Sequence, residues 1–123
     1  MSGSLSIVIP AYNEAVRLGK TLRTVVDYLR TDWPDSELIL VDDGSTDDTA
    51  AMAHKTFQES GGLRTSVISY KSNLGKGRAV RLGLLAARGT VALFSDADLS
   101  TPITETPKLV DPIFKNECDV TFG

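Results

Sequence analysis

Glu37-Leu38-Ile39-Leu40-Val41-Asp42-Asp43-Gly44-Ser45-Thr46-Asp47-Asp48-Thr49 is the stretch that decides the fold. Its apolar half is unbroken, with no solvent-facing alternation, and so reads as a strand buried on both faces, the kind found in parallel sheets covered by helices. It runs straight into an acidic turn. Gly44 supplies the backbone freedom of that turn, and Ser45, Thr46 and Asp47 are candidate caps for a helix through Ala50, Ala53 and Phe57.

Upstream, Leu5-Ser6-Ile7-Val8-Ile9 is a β-branched run that Pro10 closes, because proline cannot donate to a ladder. From Glu14 onward, Val16, Leu18, Leu22, Val25, Val26 and Leu29 keep mostly three- and four-residue spacing. They predict a helix with one buried stripe that stops between Thr31 and Pro34. Downstream, Gly61-Gly62 breaks the second helix and Thr65 to Tyr70 has the alternation of a third strand. After Lys71-Ser72-Asn73-Leu74-Gly75-Lys76-Gly77-Arg78, a helix continues through Ala79, Val80, Leu82, Gly83, Leu85 and Ala86 to Arg88-Gly89. Val91-Ala92-Leu93 reads as a buried fourth strand that delivers Asp96 and Asp98. Ile103, Leu109, Val110, Ile113 and Phe114 suggest a last helical segment limited by Pro107 and Pro112, and Asp119 to Gly123 a fifth strand cut off at its end.

Strands and helices therefore alternate, which predicts an α/β fold: a mostly parallel, doubly wound sheet with helices on both faces. In such sheets the loops after the strands gather on one edge, where ligands bind. Pro10 to Glu14, Asp42 to Ser45, Asn73 to Arg78 and Asp96 to Ser100 are expected to converge on one crevice.

Composition narrows the functions. The 123 residues, 41% hydrophobic and 24% charged, fit a single domain over residues 1–123 with a modest core. A net charge of −3 and scattered basic residues speak against a nucleic-acid partner. Cys118 is the only cysteine, so a reducing, cytoplasmic setting is the simplest fit. No apolar run approaches the length of a bilayer span.

The chemistry lies in the strand-end segments. Asp96 and Asp98, one residue apart where a strand stops, repel one another unless something positive sits between them, and a divalent cation carrying phosphate oxygens meets that need. The blander alternative is a solvated acidic turn before a helix capped by Ser100 or Thr101. Lys76, between two glycines at a helix start, brings positive charge and open backbone N–H groups. Asp42 and Asp43 either begin a capped helix or accept from ribose and base donors. A nucleoside diphosphate needs all of these together, and with a sugar on its terminal phosphate the chemistry is glycosyl transfer. His54, in a helical stretch away from every strand end, is assigned no chemistry.

Ser6 to Glu14, Val41 to Asp47, Asn73 to Gly77 and Asp96-Ala97-Asp98 together resemble the inverting nucleotide-sugar glycosyltransferases of family 2, with the GT-A fold. Gly75 to Gly83, Arg88-Gly89 and Ser95 to Pro102 most resemble the dolichyl- or polyprenyl-phosphate glucosyltransferases among them. The resemblance implies that Pro10, Ala11, Tyr12 and Glu14 line a nucleoside pocket and that Asp43 and Asp42 meet base or ribose. It also implies that Lys76 lies near the nucleotide, and that Asp96 and Asp98 hold the nucleotide sugar and Mg2+ or Mn2+ as catalytic and metal-binding residues. UDP-glucose is the implied donor and a lipid phosphate the acceptor. The alternatives are GDP-mannose-dependent mannosyl transfer and a non-catalytic nucleotide-sugar-binding fragment. Related mannosyl synthases carry a glutamine where Ser100 stands.

Family members continue into a Ser-Arg segment, an acceptor-binding half and often membrane-associated helices. The chain is thus expected to be the donor-binding half of a longer enzyme, meeting the cytoplasmic face of a membrane only through regions it lacks. It is expected to bind donor but transfer weakly or not at all, and a truncated sheet edge would favour self-association. Rival families fit less well. A response-regulator receiver has its acidic pair after strand one, where this chain has Pro10-Ala11-Tyr12, and in haloacid-dehalogenase-like phosphatases the Asp-x-Asp opens the domain.

Overall fold

The computed structural model describes residues 4–97, 103 and 106–108. Its elements run β1 (Leu5–Ala11), α1 (Ala15–Asp32), β2 (Glu37–Asp43), α2 (Thr49–Gln58), β3 (Arg64–Tyr70), α3 (Lys76–Ala86) and β4 (Val91–Phe94). The strands form one parallel sheet in the order β3-β2-β1-β4. The α/β alternation expected from the sequence is the architecture found. The expected fifth strand, and the expected last helix apart from Ile103 and residues 106–108, lie outside the described residues.

Helices cover both faces. Leu18, Leu22, Val25, Val26 and Leu29 of α1 pack on Leu5, Ile7 and Ile9 of β1 and Leu38 and Leu40 of β2, with Ala53 of α2 completing that side. Full burial of each large aliphatic there is worth about 1.5–3 kcal/mol. On the opposite face Val8, Ile39 and Val41 meet Ala79 of α3. α3 lies close because its contact residues are small: only Ala79 and Gly83 are buried along it. A Cβ on Gly83 would overlap a methyl of Val8 and stand 3.1 Å from one of Val41.

Sequence and structure part in three details. β1 does not close at Pro10 but extends to Ala11, with Pro10 opposite Val41. Ser95 N–H donates to the Val8 carbonyl at 2.9 Å, so alternate residues of β1 address β4, whose pairing ends at Val8↔Phe94. Pro10 therefore sits where no donor is required. β1 and β2 are buried throughout, whereas β3 and β4, at the edges of the described sheet, are partly exposed. Leu85, one of the apolar residues through which the third helix was expected to run, is 71% exposed.

Two features set the sheet's ends. β1 leads to β2 and β3 on one side, and α3 then crosses the other face to place β4 beside β1, so the winding reverses between β1 and β4. At the opposite edge the buried Glu37 carboxylate accepts from Ser6 Oγ and Arg88 N–H, both at 2.5 Å, and Gly89 N–H donates to Ser6 Oγ at 2.7 Å. A Cβ on Gly89 would lie 2.7 Å from the Leu5 carbonyl carbon, so only glycine lets this turn deliver β4 in register.

Candidate functional site

At the carboxyl ends of the strands, beside the reversal point, lies a crevice of about 430 Å³. Pro10, Ala11, Tyr12 and Glu14, from the segment that ends β1 and leads into α1, line it together with Asp43, Lys76 and Asp96. These are the sequence-predicted residues that the fold brings together. Asp42 is absent from the lining, and Asp98 lies outside the described residues. Asn73, Gly75 and Ala97, from two of the segments expected there, also line the crevice, as does Arg17, which lay outside those segments. Arg17 was legible as the residue three after Glu14, and Asn73 and Gly75 belong to the loop expected there.

The two neighbouring aspartates of β2 face opposite ways, because side chains alternate along a strand. Asp42 turns into its own loop, where Oδ1 accepts from Ser45 N–H at 3.0 Å. Asp43, only 3% exposed, reaches the start of α3. Its Oδ1 accepts from Tyr70 Oη at 2.6 Å and Leu74 N–H at 2.9 Å, and its Oδ2 from Gly75 N–H at 3.0 Å. A carboxylate has about four lone-pair directions, so one remains for a ligand donor. Burial pushes the Tyr70 hydroxyl well up from the usual tyrosine range, with the Asp43 hydrogen bond and the charges of Asp43 and Asp42 adding to it. Tyr70 therefore stays a donor.

The wall after β1 is stitched to the loop after β2. Asn13 adopts a left-handed φ of 52°, and its Oδ1 accepts from Thr46 N–H at 2.9 Å. The N–H groups of Asn13, Glu14 and Ala15 donate to Ser45 Oγ, Thr49 Oγ1 and Asp47 Oδ2 at 2.9, 3.0 and 3.2 Å. Ser45 and Asp47, expected to cap only their own helix, thus join Thr49 in holding backbone donors at and just before the start of α1. Asp47 serves both, since its Oδ1 accepts from Thr49 N–H and Thr49 Oγ1. The Thr49 hydroxyl above all, helped by the Ala15 and Thr49 N–H groups and opposed by burial, holds the Asp47 carboxyl below the usual carboxylate range. Gly44, at φ 70°, lets this loop lie against Ser72 and Asn73, whose backbone a Cβ would overlap.

The remaining acids differ in how they are held. Glu14 is forked onto Arg17 at 2.6 and 3.1 Å. Asp96 pairs across the crevice with the ammonium of Lys76, which lies 5.7 Å from the Phe94 ring centre. The loop bearing Asp96 is hung from α1, where Thr21 Oγ1 donates to the Ala97 carbonyl at 2.6 Å.

Among the described residues no three His, Cys, Asp or Glu side chains gather as metal ligands. Asp96 nevertheless suits a hard divalent ion. It is half-exposed at the crevice, its described ion-pair partner is a flexible side chain, and such ions commonly take one or two carboxylates and complete their shell with phosphates and water.

The family model described as glycosyl transferase family 2 matches residues 6–123. Among curated relatives, the dolichyl-phosphate beta-glucosyltransferase of Saccharomyces cerevisiae is 39% identical over 121 residues, covering 95% of this chain and 36% of that protein. The chain thus spans about a third of the length of the curated relatives it matches. A mannosyltransferase from Pyrobaculum calidifontis, solved with GDP-Man and Mn2+, superposes with a TM-score of 0.75 at 25% identity, over 86% of this chain and 30% of that one. Glucosyl-3-phosphoglycerate synthase from Mycobacterium tuberculosis, solved with Mn2+, UDP-glucose and phosphoglyceric acid, superposes at 0.69 with 31% identity, over 94% of this chain and 41% of that one.

Proposed function

The chain belongs to glycosyl transferase family 2, and on that premise we propose that its crevice binds a nucleotide-sugar donor, UDP-glucose, for inverting transfer of glucose to a polyprenyl or dolichyl phosphate. The observation that carries the reading is the meeting of Asp43, Lys76 and Asp96 with Pro10, Ala11 and Tyr12 where the described sheet reverses. The donor follows from the named activity of the yeast relative and from the UDP-glucose held by the mycobacterial synthase.

In this reading Tyr12, 44% exposed, and the backbone of Pro10 and Ala11 flank the base. Asp43 offers its remaining lone pair to a base or ribose donor and keeps the start of α3 in place. The Lys76 ammonium faces the diphosphate. Asp96, with Asp98 beside it in sequence, holds a divalent ion, Mg2+ or Mn2+, which when bound neutralises charge on the departing diphosphate. A phosphomonoester acceptor has its second pKa at about 6 and is already anionic near neutral pH, so no strong general base is required. Its oxygen attacks the anomeric carbon as the bond to the diphosphate breaks on the opposite side, and positioning supplies most of the acceleration.

Residues 1–123 act in this proposal as one donor-binding domain of a longer enzyme, and the acceptor site lies elsewhere in that enzyme. No helix among the described residues is long and apolar enough to cross a membrane. GDP-mannose is the second donor to test, because the Pyrobaculum mannosyltransferase was solved with it.

Calorimetric titration with UDP-glucose and GDP-mannose, each with Mn2+ and with EDTA, beside Asp98→Ala, tests the proposal. Mn2+-dependent binding of UDP-glucose that the variant loses is expected. Binding of GDP-mannose alone would move the assignment to mannosyl transfer, and no binding of either by folded protein would overturn the crevice as a self-sufficient donor site.

A further inference from the structure

We propose that Lys76 is an exchangeable counter-ion: it neutralises Asp96 across the crevice, then yields that carboxylate to the divalent cation and turns its ammonium to the donor's diphosphate. The exchange deepens the donor-site reading above and rests on it.

The two residues come from different elements, Lys76 opening α3 and Asp96 following β4. Their side chains are 57% and 41% exposed, so the pair belongs to the class worth only about 0.2–1 kcal/mol and is easily given up. The backbone next to Lys76 is fixed, because Leu74 N–H and Gly75 N–H are both held by Asp43. Movement is left to the four-carbon stem, whose ammonium is a compact charge that can change partners. The Phe94 ring gives that ammonium a contact independent of Asp96.

The neighbouring acids leave little alternative. Asp43 is engaged by Tyr70 and two N–H groups, and Glu14 by Arg17. Asp96 is therefore the described carboxylate for which lysine and metal compete. Two cations on one carboxylate repel each other, whereas a diphosphate has enough anionic oxygens to accept the displaced ammonium and the metal together.

The test is a Mn2+ titration of the chain followed by the electron paramagnetic resonance signal of the free ion. It compares the unaltered sequence with Lys76→Met, Lys76→Gln and Arg78→Met, the last removing an exposed charge two residues further along α3. Losing the competitor should tighten Mn2+ binding about two- to fivefold in both Lys76 variants, while Arg78→Met has a smaller effect. With Mn2+ saturating, UDP should bind the Lys76 variants about tenfold more weakly, since a charge-assisted contact is lost. These opposite signs identify the exchange. Mn2+ binding in the Lys76 variants no tighter than in Arg78→Met overturns it, and unchanged UDP affinity overturns the transfer to diphosphate. Failure of the unaltered chain to bind Mn2+ overturns the metal-dependent donor reading as well.

Discussion

Thr21, buried on α1, donates its hydroxyl to the carbonyl of Ala97 at 2.6 Å, and this bond helps fix the loop bearing Asp96 to a helix packed on the core. Thr21→Val keeps the shape and removes the donor. It should cost about 1–3 kcal/mol in urea unfolding, the price of an unpaired buried carbonyl, and weaken Mn2+-dependent donor binding. Thr21→Ser, which keeps the hydroxyl, should restore donor binding.

Tyr70 and Asp43 give a second test. Tyr70→Phe deprives a buried carboxylate of one of its three donors, and hydrogen bonds to charged groups are worth about 1.5–3 kcal/mol. Denaturant unfolding should show a loss of that size. Because the same carboxylate holds Leu74 and Gly75, calorimetry should also record weaker UDP-glucose binding.

Gly83 tests the closeness of α3 to the sheet. Gly83→Ala improves helix propensity but drives a methyl into Val8. Overpacking of about 1–3 kcal/mol should win, and the unfolding midpoint in urea should fall. A rise would mean that α3 can move outward at no cost.

Asp47 sets a pH dependence. Its folded pKa lies below the ordinary value of 3.8, so its contribution to stability is present above the unfolded pKa and is lost as pH falls through the folded one. Thermal unfolding between about pH 5 and pH 2 should therefore decline less steeply in Asp47→Asn than in the unaltered chain. The difference should be modest because the group is exposed.

The central strands were legible because β1 and β2 are buried on both faces, and that condition writes itself as unbroken apolar sequence. The partial exposure of β4, expected to be buried, was not, since within the described sheet its edge position follows only from strand order. The strand-end segments announced the crevice, but their wiring did not. Ser45 and Asp47 were expected from local capping chemistry, yet their partners Asn13 and Ala15 are more than thirty residues away. The parity of β2 could have separated Asp42 from Asp43, whereas the hold of Asp43 on Tyr70, Leu74 and Gly75 depends on tertiary placement. In α3 the largely apolar run from Ala79 to Ala86 marked the helix without singling out its contact residues, which are Ala79 and Gly83. The second acid of the expected pair, Asp98, lies outside the described residues.

The bonds that tie Asn13, Glu14 and Ala15 to Ser45, Thr49 and Asp47 have a mechanical consequence. The loops after β1 and β2 form a single stiff plate, because displacing either breaks the hydrogen bonds that join them. The plate behaves as a fixed jaw. Adjustment to a ligand falls to the facing jaw, where the Lys76 side chain spans the gap, so the cavity can tune its grip without bending its floor.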